Sequence, residues 1–134
     1  MKNKRVHRIG GTIIGLTLSC AGWAAEDSAR TLSAQQILSQ VVGNTIVYQD
    51  DAKDRVEEYL ASDGSVHGRS RAHGSYVSEW QIRFGHYLCL VTGDPKTSGC
   101  VQVVIRDGSK IEFHLDIGET EGPFTFLPGN PSHL

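Results

Sequence analysis

From residue 45 onward the chain is written in short runs in which apolar and polar side chains take turns, the period of a strand with one buried face. The clearest is KIEFHLDI at residues 110–117, where Ile111, Phe113, Leu115 and Ile117 share one side and Lys110, Glu112, His114 and Asp116 the other. Comparable β-branched and aromatic runs lie at 45–49, 55–62, 65–74, 76–83, 86–91, 100–106 and 123–128. Between them, Asp63-Gly64 and Asp107-Gly108 are two-residue hairpin signals and Phe84-Gly85 is a third. One segment has a different period. In SAQQILSQVVGN, Ser33 can cap a helix with Gln36 at the reciprocal position, Ile37, Leu38, Val41 and Val42 form one apolar stripe, and Gly43 supplies a stop, which predicts a helix over 33–42. A helix of about ten residues is marginal alone in water and must lie on something. Short links make consecutive strands antiparallel neighbours, and a meander of seven or eight strands has to curl or be covered to hide its edges. The expected fold is mainly β: a small antiparallel meander forming a lipocalin-like barrel or curved half-barrel, with one N-terminal helix over an opening.

Composition changes this picture at the N-terminus. Lys2, Lys4, Arg5 and Arg8 occur with no acid among them, and residues 9–25 are uncharged. The apolar stretch is short for a membrane span and ends in Gly22-Trp23-Ala24, a small-x-small pattern. Residues 1–24 therefore read as a signal peptide and 25–134 as a single β-rich domain exported to the periplasm or beyond. Leu18-Ser19-Cys20 also ends like a lipobox, with Thr17 where Leu is usual, so a lipid anchor at Cys20 is the alternative. The leader holds four of the 13 basic residues and none of the 15 acidic ones, which leaves nine bases and a net charge of −6 on the mature part. Such a domain repels phosphate backbones, and no nucleic-acid partner is expected. Nor does any later segment read as a membrane span.

Export leaves Cys89 and Cys100, an even number in an oxidising space. A metal site, a redox pair and a structural crosslink are the three readings. Zinc ligands usually come as close pairs and a thioredoxin-type pair is Cys-x-x-Cys, neither of which matches this spacing. The turn-forming residues 92–99 between two β-branched flanks instead suggest a hairpin with the sulfurs opposite each other. Leu88 then faces Val101 and His86 faces Val103, on a core side with Leu90 and Ile105, and the disulfide takes the opposite, more exposed side. In a chain-entropy account a loop this short contributes about 3 kcal/mol.

The segments LSAQQILSQVVGNT (32–45) and EYLASDGSVHG (58–68), Trp80, Leu88-Cys89-Leu90 with Cys100, and FLPGNP (126–131) together resemble a family of small secreted proteobacterial proteins catalogued only as a domain of unknown function. The resemblance spans nearly all of the mature chain, and its motifs are turns, core positions and the cysteine pair. It implies a small lipocalin-like β-fold and carries no catalytic residue to any position here.

The most unusual run is VHGRSRAHG, where an extended strand sets His67, Arg69, Arg71 and His73 on one side and Gly68, Ser70, Ala72 and Gly74 on the other. Read functionally, it is a basic stripe for a carboxylate or phosphate. Read structurally, it is a solvated outer face that discourages edge pairing, with small residues opposite large core groups such as Trp80. Glu79 beside Trp80 is a candidate for a desolvated acid, or simply a solvent-facing one. Glu57 and Glu58, being adjacent on a strand, point to opposite faces and are not a paired acid and base. His67, His73, His86 and His114 show no ligand spacing, and no metal or cofactor is expected. There is no Gly-x-Ser-x-Gly elbow, phosphate loop or Ca²⁺ loop. Tyr48, Tyr59, Tyr76, Trp80, Phe84, Phe113, Phe124 and Phe126 either line an apolar pocket or fill a small core; at about 110 residues, filling is favoured.

The expected function is a non-enzymatic binding or interaction module of the cell envelope, for a small apolar molecule or a protein. One alternative is an enzyme or anion-binding protein with its site on His67, Arg69, Arg71, His73, Glu79 and Trp80. Another is an inhibitor of cell-wall-degrading enzymes with Pro95-Lys96-Thr97-Ser98 as a protruding tip.

Overall fold

In a computed structural model, which describes residues 30–91 and 98–134, the chain is a closed antiparallel barrel of eight strands in sequential order. The strands are β1 (Thr45–Gln49), β2 (Arg55–Leu60), β3 (Ser65–Ser70), β4 (Gly74–Arg83), β5 (Tyr87–Val91), β6 (Gly99–Arg106), β7 (Lys110–His114) and β8 (Thr120–Leu127). β8 returns to pair with β1, so the meander has no free edge. This is the mainly β, lipocalin-like arrangement that the alternating pattern predicts, with closure rather than a half-barrel as the outcome. The leader and the lipobox Cys20 lie outside the described residues, as do Pro95, Lys96 and Thr97 of the proposed inhibitor tip.

Several boundaries differ from expectation for one shared reason. The turns after β2, β3, β4 and β6 each hold three residues, where two were expected after β2, β4 and β6. After β2, Ala61 and Ser65 bracket the turn and Gly64 takes φ of +94°, the bulge conformation that glycine adopts without strain. After β4, Arg83 pairs with Tyr87, so His86 sits in the turn and does not face Val103 from a strand. After β3, Ser70 pairs with Gly74, so Arg71 and His73 belong to a turn and the expected four-residue stripe is halved. β7 stops at His114; Ile117 lies past it in the following turn and is exposed, not on the core face.

The Ser33 cap forms as read: its hydroxyl accepts from the Gln36 amide, and the Gln36 side chain accepts from the Ser33 amide. Helix α1 (Ala34–Gln36) continues into a wider turn over Ile37–Val41, closed by a bond from the Val42 amide to the Ile37 carbonyl. Only Ile37 and Val41 are buried; Leu38, expected on the same stripe, is turned to solvent. The Ala34 amide bonds to Gly85 and the Gly43 amide to Leu60, so the helix lies across the barrel end that carries the β2–β3 and β4–β5 turns. There Ile37 and Val41 join Ile46, Leu60, Leu88 and Ile111 in one apolar cluster. Among the described residues, no helix is long and apolar enough to cross a membrane.

Cys89 pairs directly with Cys100 and Leu88 with Val101, as the hairpin reading requires, and the sulfurs are bonded. The crosslink is less solvent-facing than expected: with Cys100 on one side and Gln81 of β4 on the other, Cys89 is only 2% exposed.

Candidate ligand-binding site

The end opposite the helix is hollow. Two adjoining lobes, of about 450 and 340 Å³, share Tyr48, Glu58 and Leu90. The expectation of a filled interior fails here for a local reason: on the inner faces of β3 and β4 the sequence places Gly68, Ser70 and Ser78, where the closed end has Val66 and Trp80. Small side chains at three inner positions leave space that a wall of valine or leucine would occupy. The volumes fall within the usual range for small-molecule sites, roughly 300–1,000 Å³.

One level of the sheet defines the site. Glu58 on β2 pairs with Gly68 on β3, and Gly68 pairs with Tyr76 on β4. One strand, β3, lies between the acid and the phenol, a gap of two strand spacings or about 10 Å. Tyr76 closes it by laying its ring over Gly68, and its hydroxyl donates to Glu58 Oε1 at 2.6 Å. A Cβ on Gly68 would stand 2.2 Å from Tyr76 Cζ, so the absence of a side chain there is what lets the ring across. The large group opposite Gly68 is therefore Tyr76, not Trp80, whose indole nitrogen is held by the Ala61 carbonyl at 2.7 Å.

Burial pushes the Glu58 carboxyl above its usual range, partly offset by hydrogen bonds from Tyr76 and Tyr48. Burial and the neighbouring Glu58 push both phenols up as well, so each stays a neutral donor. Around them, Tyr48, Phe124 and Phe113 form a chain of rings with centroids 5.4 and 5.5 Å apart. Of the other aromatic candidates, Phe126 joins the closed-end core and Phe84 is an exposed turn residue.

The residues singled out in VHGRSRAHG do not converge. Arg69 points outward to Glu57 at 3.1 Å, with Arg55 on the same carboxylate at 2.7 Å. Arg71 reaches Asp54 at 3.7 Å, and His67 bonds to the Ser65 hydroxyl. Glu79 is exposed on the outer face of β4. His73 alone of this set lines the larger lobe, its ring beside the Ser70 hydroxyl. His86 stacks near Tyr87 and His114 lies 3.3 Å from Glu112. Among the described residues, no three metal-binding side chains are gathered together.

Glu58 and Tyr76 are the pair that reading the sequence missed. The signal was present: an acid, a glycine and a tyrosine at corresponding positions on three successive hairpin strands. It becomes visible only when the turn length, and hence the register, is known. Comparisons with protein-family models, with curated proteins and with solved structures give no match.

Proposed function

We propose that the chain is an exported, non-enzymatic binding protein that holds a small, largely apolar molecule in the open half of its barrel. The carrying observation is the two-lobed cavity, whose aromatic and aliphatic side chains are interspersed with polar groups, Glu58 and Tyr76 foremost. The leader pattern, the disulfide and the likeness to small secreted proteobacterial proteins favour the envelope as its compartment. Arg69 and Arg71, the candidates for an anion site, are met by Glu57 and Asp54 and do not line the cavity.

A neutral fluorescent probe, N-phenyl-1-naphthylamine, tests this reading. Its emission should rise on mixing with the purified mature protein, and Ser78→Phe, which fills the larger lobe, should remove the rise while leaving thermal unfolding cooperative. A rise of equal size in Ser78→Phe, or none in the wild type, overturns it. Native mass spectrometry of protein taken from the periplasm then reports leader cleavage, the crosslink and any retained molecule together.

A further inference from the structure

Resting on the reading of the barrel as a small-molecule binder, we infer that its ligand is an organic ammonium ion: an apolar body whose cationic nitrogen sits against the Glu58 carboxylate. Charge at the cavity is one-sided. The larger lobe is lined by Asp50 and Glu58, the smaller by Glu58 and Glu121, and among the described lining residues there is no Lys or Arg. The arginines nearest in the sheet are held outside by other acids, Arg55 and Arg69 by Glu57 and Arg71 by Asp54.

Glu58 itself is a partly buried carboxylate that meets the phenols of Tyr76 and Tyr48. Tyr76 occupies Oε1, and among the described residues no Lys, Arg or His forms an ion pair with it. A desolvated carboxylate without a cation is costly, and a ligand that brings the cation recovers that cost on binding. An anionic ligand would add to the repulsion instead. The ring chain Tyr48, Phe124 and Phe113 lines the smaller lobe with Glu58, which gives a cation π-faces as well as a charge partner. Tyr48 lines both lobes, so the carboxylate and a ring are presented to the same space.

Three probes with one apolar body separate the possibilities: 1-naphthylmethylammonium, 1-naphthalenemethanol and 1-naphthoate, titrated calorimetrically into the mature protein. The ammonium should bind about tenfold or more tighter than the alcohol, and the carboxylate weakest. Glu58→Gln keeps the side-chain shape and an acceptor for Tyr76, and should reduce the ammonium to the alcohol's affinity. The groups facing Glu58 and the cavity are Tyr48, Tyr76, Asp50, His73 and Glu121. Ammonium affinity should fall as pH drops and Glu58 takes up a proton, in His73→Gln as in the wild type, which separates the carboxyl from the imidazole. Equal binding of all three probes, or a preference for the carboxylate, overturns the ammonium inference and leaves the binding reading standing. Binding of none of them overturns both.

Discussion

Glu57 and Glu58 are consecutive in the chain, yet the fold gives them opposite electrostatic lives. Glu57 points outward and is covered by its own partners: a hydrogen bond from Ser132 first, then Arg55 and Arg69, hold its carboxyl below the usual range against the pull of burial. Glu58 points inward to a cavity, meets phenols rather than cations, and is pushed up by desolvation. A one-residue step along a strand thus separates a charge that stabilises the barrel from one that strains it. Proteins commonly carry such strain where a ligand relieves it.

The sharpest way to break this contrast is to disturb the level that isolates Glu58. Gly68→Ala places a methyl group within 2.2 Å of the Tyr76 ring and should drive the phenol off the carboxyl. A loss of about 1–3 kcal/mol in denaturant unfolding is expected. An unchanged midpoint would mean the ring repacks freely and that Gly68 is not needed for the crossing.

Next in size is Glu58→Gln, which should stabilise the protein. Because the folded-state pKa lies above the unfolded one, the folded protein holds its proton over a wider range. The wild type therefore carries no penalty below the ordinary carboxylate range, and loses stability as pH rises through the raised folded value. The variant, which does not titrate at this position, should melt roughly 5 °C higher than the wild type at pH 7, with the gap closing near pH 4. A lower Tm for the variant at neutral pH would show that Glu58 is paired after all.

Glu57→Gln should have the smallest effect and the opposite sign. Its depressed pKa contributes stability above the ordinary carboxylate range that is lost as pH falls through the folded value. Both arginines are largely exposed and screened, so a loss of about 1 kcal/mol or less is expected at pH 7, shrinking in high salt and at low pH.

The barrel was legible because its signals are local. Alternation marks the strands, Ser33 with Gln36 marks the helix start, and turn residues around Cys89 and Cys100 set their pairing. The cavity was not, because it depends on register. A two-residue turn at Asp63-Gly64 would set Glu58 opposite Arg69; the three-residue turn with its bulge at Gly64 sets it opposite Gly68. A separate three-residue turn, 71–73 between β3 and β4, takes Arg71 and His73 off the strand, dissolving the basic stripe and leaving a histidine at the rim. Volume was equally hidden: composition counts the aromatic residues but cannot say that Tyr76 lies flat across a glycine while Phe84 stands in solvent.

The helix laid across one end has a consequence for traffic. With Ile37 and Val41 packed across that side, the hollow half opens, among the described residues, at the other end, by the loops joining β1 to β2, β3 to β4 and β7 to β8. If the chain binds a small molecule as proposed, that molecule would enter with one group leading and keep its trailing end nearest the water. Under the proposed binding role, residence time would be set at that rim, while the choice of guest would be made by the wall beneath it.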